Sequence, residues 1–436
     1  MDTHALSWGR FPRARQCVLH INDRKDPLPA IPQGQTGLPR GNGRSYGDSC
    51  LNDGGLLLDT LALDRFIDFD PRTGILTCEA GTQFADILDI VVPQGWFLPV
   101  TPGTKFVTVG GAIANDVHGK NHHRAGTFGR HVRSFELLRS DGSRLLCSPG
   151  QHEEWFNATI GGLGLTGMIT HAQIQLRRIS GPWLETETYR FRNLAEFFAL
   201  SEASGEGHEY TVAWIDCAAS GAALGRGLFT RANHAPAFPE DRPSAPRRRL
   251  SVPLTPPFSL VNPMSLRLFN TLYFHRQRRA VVRAIHHYEP YFYPLDGIGK
   301  WNRAYGPRGL LQYQCVLPPE SSAEGMTTLA RMIAASGTGS FLAVLKQFGG
   351  LRSPGMLSFP REGTTLALDF PNDGKRTFEL LDRLDDVVAD LGGAVYPAKD
   401  ARMPGRRFRE YFPAWEAFSS FIDPNFSSSF WRRVME

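Results

Sequence analysis

The sequence predicts an α+β protein of two domains, and three observations carry that reading. The chain has 436 residues, more than one ordinary core accommodates. Its first 178 residues mix short strand and helix patterns with three glycine-rich loops, enough to enclose a dinucleotide-sized ligand. From about residue 179 the texture changes to longer strands alternating with amphipathic helices, read as a sheet with helices on one face.

Composition removes several function classes. The formal charge of +5 is mild and the Lys/Arg are interspersed with Asp/Glu, which argues against nucleic-acid binding. The cysteines (Cys17, Cys50, Cys78, Cys147, Cys217, Cys315) form no C-x-x-C pair, arguing against a zinc site and for reduced thiols in the cytosol. The N-terminal MDTHALSWGRFPRARQCVLH has no apolar core of signal-peptide length, and no uncharged apolar run is long enough to span a bilayer. The expected location is cytoplasmic or peripheral to the inner membrane.

Taken in order, RGNGRSYGDSCLNDGG places glycines at 41, 43 and 47, one position out from a dinucleotide fingerprint. No amphipathic helix follows it. What remains is a glycine nest able to wrap an anion with backbone N–H groups, with Arg44, Ser45 and Tyr46 beside it. Short strands follow (LLLDT, FIDFD, GILTCEA), and TQFADILDIVVPQGW reads as an amphipathic helix. In PGTKFVTVGGAIANDVHGKNHH, Gly110 and Gly111 allow close backbone approach and Ala112 and Ala114 keep the turn thin. Asn115, Asp116, His118, Lys120 and Asn121 supply polar groups, so the stretch reads as a loop against a large flat ligand. His118 and His122 have i,i+4 spacing that suits a metal on a helix, but Gly119 argues against the helix and no carboxylate completes a motif, so no metal is expected. VRSFELLRSDGSRLLCS is a hairpin turning at Asp141-Gly142, and Gly161 to Gly167 lead into another strand.

In the second half the strands are TETYRF, EYTVAWIDC, GLLQYQCVLP, GSFLAVLKQFG and TTLALDFP, with a long amphipathic helix at FELLDRLDDVVADLGG. Between them lies a Pro-rich apolar segment at about 243–275. It carries Arg247-Arg248-Arg249 near its start, is broken by Pro253, Pro256, Pro257 and Pro263, and is closed by Arg276, Arg278 and Arg279. It reads either as a surface excursion or as an interfacial flap facing anionic headgroups. The tail FSSFIDPNFSSSFWRR reads as packing back on the first domain.

Together RGNGRSYGD, PGTKFVTVGGAIANDVHGKNHH, GGLGLTGMI, WNRAYG, QYQ, LKQFG, YPAKDAR and DPNFSSSFWRR resemble the FAD-linked oxidases of the vanillyl-alcohol-oxidase superfamily, over nearly the whole chain. The resemblance implies an FAD-binding domain of residues 1–178 completed by a tail of about 401–436, and an antiparallel-sheet substrate domain of 179–400. It assigns Pro39, Arg40, Gly41, Asn42, Gly43, Arg44, Ser45, Tyr46, Gly47, Asp48 and Ser49 to the pyrophosphate loop. Gly103, Thr108, Val109, Gly110 and Gly111 form the second loop, Asn115, Asp116, Val117 and His118 run along the flavin, Tyr396 contacts it, and Ile169 meets the adenine end. The first loop holds no histidine, so non-covalent FAD is expected.

The resemblance further implies Lys399 as the charge beside the reduced flavin, Lys346 and Lys120 as groups facing the substrate, and His118 at the flavin with its role as base left open. Tyr305, Gln312, Gln314 and Thr365 map to the substrate pocket. The implied reaction is FAD-dependent oxidation of a secondary sugar hydroxyl, C2 of a polyprenylphosphoryl-β-D-ribose, to the 2-keto sugar. That is the first half of an epimerisation to arabinose in cell-wall precursor synthesis, completed by an NAD(P)H-dependent reductase partner. A soluble alditol or sugar-lactone oxidase of the same superfamily is the alternative. Mycobacterial members of the family carry a cysteine where Ala367 stands and an asparagine at Thr365, which implies an altered substrate wall.

Overall fold

The computed structural model describes residues 5–236 and 250–436; the start of the flap and its Arg247-Arg248-Arg249 run lie outside the described residues. Strands β1 (Cys17–His20), β2 (Gly37–Arg40) and β3 (Leu56–Asp59) form a small parallel sheet in the order β1-β3-β2. The central β3, LLLD, is buried throughout, as a parallel strand covered on both faces should be. A second sheet holds β4 (Phe66–Asp70), β5 (Ile75–Glu79), β6 (Val132–Leu138), β7 (Arg144–Cys147) and β8 (Met168–Gln175), in the antiparallel order β4-β5-β8-β6-β7. The expected hairpin joins β6 to β7, with Gly142 at φ +85° in its turn.

Helix α1 (Phe84–Val91) buries Phe84, Ile87, Leu88 and Val91, an i, i+3, i+4, i+7 stripe. The next element corrects the sequence reading. Val109–Ala114, expected as a loop, is a short helix, α2. Two glycines are poor helix formers, but Thr108 caps the turn by accepting from Gly111 N at 3.2 Å. Gly110 lies so close to β5 that an added Cβ would stand 3.0 Å from Ala80 Cβ, so tertiary contact outweighs propensity. Helix α3 (Glu153–Thr159) then leads into the third glycine loop.

The large sheet contains β9 (Trp183–Phe191), β10 (Tyr210–Ile215), β11 (Gly227–His234), β12 (Val281–His287), β13 (Leu310–Leu317), β14 (Ala343–Phe348), β15 (Gly363–Pro371) and β16 (Ala394–Val395). All pairings are antiparallel, in the order β12-β9-β11-β10-β14-β15-β13-β16. Helices α4 (Leu194–Ser204), α5 (Pro263–His275), α6 (Pro319–Ser336) and α7 (Lys375–Asp390) interleave with them. Leu311, Tyr313, Cys315, Leu345, Leu366 and Leu368 share one core with Phe197 of α4, Leu329 of α6 and Leu384 of α7. Because strand side chains alternate, Gln312, Gln314, Lys346, Ala367 and Asp369 project from the opposite face.

Helix α5 is a second departure from the sequence pattern, whose prolines predict no helix there. Pro263 opens the helix instead of breaking it: it occupies the first turn, and Asn262 Oδ1 accepts from Met264 N and Ser265 N at 3.1 Å each. At the C-terminus, Gly37 N donates to Asn425 O and Ser429 N to Leu51 O, both at 2.8 Å, so the tail lies along the start of the first glycine loop. Helix α8 (Ser429–Met435) ends the chain there. No helix among the described residues is long and apolar enough to cross a membrane.

Candidate active site

Close approach between loops builds the first wall of the site. A Cβ on Gly41 would come within 2.2 Å of Thr108 Oγ1, and one on Gly47 within 1.5 Å of the Asp400 carbonyl oxygen. The first glycine loop is thus pressed against the second on one side and against the loop carrying Lys399 on the other. Tyr46 N also donates to Ala398 O at 3.0 Å. Behind these contacts lies a connected cavity of about 1940 Å³. That exceeds the roughly 300–1,000 Å³ of a drug-sized site and suits a dinucleotide together with a substrate.

The cavity is lined from the first loop by Pro39 to Tyr46 and Ser49, from the second by Gly103, Thr108, Gly110, Gly111, Asn115, Val117 and His118, and from the third by Gly164, Gly167 and Ile169. Gly43 and Gly164 take φ +58° and +78°, and a Cβ on Gly103 would stand free in the space. A side chain at Gly103 would enter that space, while Gly43 and Gly164 hold left-handed turns that other residues resist, so the residues present fit FAD.

Across the cavity stand cations and amides. His118 Nδ1 lies 3.1 Å from Lys346 Nζ and its Nε2 lies 2.8 Å from Gln314 Nε2. Gln312 Nε2 donates to Asp369 Oδ1 at 2.7 Å, and Tyr396 Oη donates to Asn115 O at 2.7 Å. Lys399 Nζ sits 4.2 Å over the Tyr46 ring. Lys120 Nζ donates to Phe292 O at 2.9 Å beside the rings of Tyr291 and Phe292. Burial, with Lys120 and Lys399 nearby, pushes Lys346 down to about 7; burial takes Lys120 to about 7 and Lys399 to about 8. Burial and the facing Lys346 hold His118 well below its ordinary value. Asp369 is pushed up to about 7 by burial. This wall therefore changes charge near neutrality, as a proton-handling site requires.

Other residues expected at the site do not line the cavity: Gly47, Asp48, Val109, Asp116, Tyr305 and Thr365. Asp48 is paired with Arg433 at 2.7 Å. Asp116, fully buried, accepts from Gly129 N at 2.8 Å and from Ser353 and Ser358 Oγ at 2.5 and 2.6 Å, tying the second loop to residues 353–358. Val109 is core, and Tyr305 joins an apolar cluster with Tyr46, Val261 and Leu310. Thr365 lies one step behind the wall, bonded to Gln314 at 3.2 Å. Asp369 joins the wall in addition to the expected residues; its signal in the sequence is that of a single acid in the apolar strand TTLALDFP, two residues from Ala367 and so on its face.

Against this geometry, residues 32–148 match the family model of an FAD binding domain. The chain is an FAD-dependent oxidoreductase with a vanillyl-alcohol-oxidase-type fold. It is 36% identical to decaprenylphosphoryl-beta-D-ribose oxidase of Mycolicibacterium smegmatis, over 98% of this chain and 96% of that protein, and it belongs to the family of that oxidase. It is also 36% identical to an uncharacterized protein in the mprA 5′ region of Streptomyces coelicolor, across 80% of this chain and 98% of the relative. A narrower likeness, 28% over 40% of this chain and 34% of the relative, is to cytokinin dehydrogenase 10 of Oryza sativa subsp. japonica.

Proposed function

We propose that the chain oxidises C2 of a polyprenylphosphoryl-β-D-ribose to the 2-keto sugar, using non-covalently held FAD. The observation that carries this reading is the continuity of one cavity: it runs from the glycine cradle, past His118, Lys346 and Lys399, to Trp214, Tyr273, Leu342 and the exposed Arg276. A sugar at the cationic wall then has an apolar, surface-open path for its lipid tail. The 36% identity to an oxidase named for decaprenylphosphoryl ribose supports the same substrate class.

FAD supplies the hydride acceptor when bound. Pro39 to Tyr46 and Ser49 of the first loop and Thr108, Gly110 and Gly111 of the second would hold it, and the first loop offers no histidine for a covalent link. The two nitrogens of His118 already face Gln314 and Lys346, which further supports a non-covalent cofactor. Lys399 carries the positive charge that offsets what FAD gains on reduction. Gln312 and Gln314 orient sugar hydroxyls, and Ala367 leaves the adjoining wall wide. The change from the five-stranded to the eight-stranded sheet supports a division into 1–178 with the tail and 179–400. The exposed Met264, Leu268 and Leu272 of α5, with Arg276, Arg278 and Arg279 after it, favour peripheral contact with an anionic membrane. A 2-keto product calls for an NAD(P)H-dependent reductase to complete epimerisation.

The test is anaerobic mixing of the FAD-loaded protein with farnesylphosphoryl-β-D-ribofuranose while flavin absorbance is followed. Rapid bleaching by this lipid sugar, and not by free ribitol or xylitol, is the expected result. Equal or faster bleaching by the free alditols would overturn it in favour of a soluble alditol oxidase.

A further inference from the structure

Four side chains at the wall form a chain of hydrogen bonds whose donors can be assigned one after another. Thr365 Oγ1 lies 2.8 Å from the Cys315 carbonyl oxygen, which has no hydrogen, so the hydroxyl donates there. The same Oγ1, 3.2 Å from Gln314 Nε2, must accept, which orients the amide with its NH₂ toward Thr365. That NH₂ can only donate, so His118 Nε2, 2.8 Å away, is the bare ring nitrogen and Nδ1 carries the hydrogen. Facing Nδ1 at 3.1 Å is Lys346 Nζ. An ammonium has three N–H groups and no lone pair, so it cannot accept from an N–H. A neutral amine can.

We propose that Thr365, Gln314 and His118 act as positioning residues that hold Lys346 as a neutral amine in the resting enzyme, and that this amine accepts the proton of the substrate hydroxyl. This rests on the sugar-oxidation reading above. The substrate O–H bond breaks and a new N–H bond forms at Nζ; the carbinol hydrogen leaves with its electron pair to the oxidised FAD, and the C=O bond forms. Nζ exchanges the His118 N–H for the hydroxyl as it does so. The resulting ammonium retains the Gly119 carbonyl oxygen, 3.4 Å away, as an acceptor.

The titratable groups facing Lys346 are His118, Lys120 and His122 from the second loop and Lys399 from the loop after β16, with Asp369 of β15 acting on Lys399. Burial beside two other lysines sets the amine near 7, so it is available at neutral pH and lost as pH falls. Thr365 stands directly opposite Lys346 in the β14–β15 register, which explains how a residue behind the wall reaches the chemistry.

The experiment is ¹⁵N-histidine NMR of the FAD-loaded enzyme, with His118→Gln to assign the signal. The Nδ1–H tautomer is expected at His118; an Nε2–H tautomer would overturn the proposal. Thr365→Val frees the Gln314 amide to turn, so His118 should move toward Nε2–H. The acid limb of flavin reduction by farnesylphosphoryl ribose should then shift to higher pH. Lys346→Met should abolish that limb and slow reduction by about 100-fold or more, and methylamine should partly rescue Lys346→Ala. An unchanged limb in Lys346→Met, with the FAD spectrum intact, would also overturn it. If no lipid sugar bleaches the flavin, the substrate reading fails while the His118 tautomer still decides the state of Lys346.

Discussion

Asp369 and Lys399 are an acid and a base that act on each other's charge at the cavity wall. Burial raises the carboxyl to about 7 and lowers the amine to about 8, and each favours the ionised form of the other. For Asp369, folding favours the protonated acid, so its stabilising contribution is present below about pH 4 and is lost as pH rises through 7. Asn cannot ionise but keeps the shape. Urea unfolding of Asp369→Asn against wild type should therefore show the gap widening in the variant's favour from pH 5 to pH 8, by roughly 1–3 kcal/mol. A constant gap would remove Asp369 as the group that titrates. Lys399 and Lys346 were legible because each sits in a short recognisable motif. The position of Thr365 behind Gln314 was not, because it depends on which face of β15 turns inward and on the register with its neighbours.

At the scale of elements, β9, β10, β13, β14 and β15 of the large sheet were legible in the sequence, while β11, β12 and the two-residue β16 were not, and α2 and α5 were hidden by glycine and proline. Both helices owe their start to a side chain at the N-cap, Thr108 and Asn262, which satisfies N–H groups the first turn leaves free. Helix α5 then presents Met264, Leu268 and Leu272, 80%, 62% and 63% exposed at i, i+4 and i+8, as one apolar stripe. Its C-terminal Tyr273 and Arg276 border the cavity, so a membrane under this stripe would deliver a lipid-linked sugar directly. Leu268→Glu with Leu272→Glu should reduce co-sedimentation with phosphatidylserine vesicles by about tenfold or more, from two apolar side chains at about 1.5–3 kcal/mol each. Flavin content and unfolding temperature should not change. Unaltered sedimentation would rule out α5 as the contact.

At the scale of the molecule, the two-part architecture was legible because each unit has its own residue pattern, but the way the site closes was not. Closure depends on contacts between positions hundreds of residues apart, which no local period encodes. The clearest case is Arg433 in α8. Its guanidinium lies 2.7 Å from Asp48 in the first glycine loop and 3.0 Å from Asp400, the residue after Lys399. Both carboxylates are nearly buried, so one C-terminal cation joins the cofactor loop to the lysine-bearing loop. Arg433→Met would leave the buried Asp48 without its cation and facing Asp400, which keeps the backbone N–H groups of Arg402 and Met403 at 3.0 and 2.8 Å, a loss of roughly 3–5 kcal/mol. The temperature at which flavin fluorescence is released should fall sharply, and adding Asp48→Asn should recover part of it by removing the charge left without a cation. A release temperature equal to wild type would mean that the two loops are held by their backbone contacts at Tyr46 and Gly47 instead.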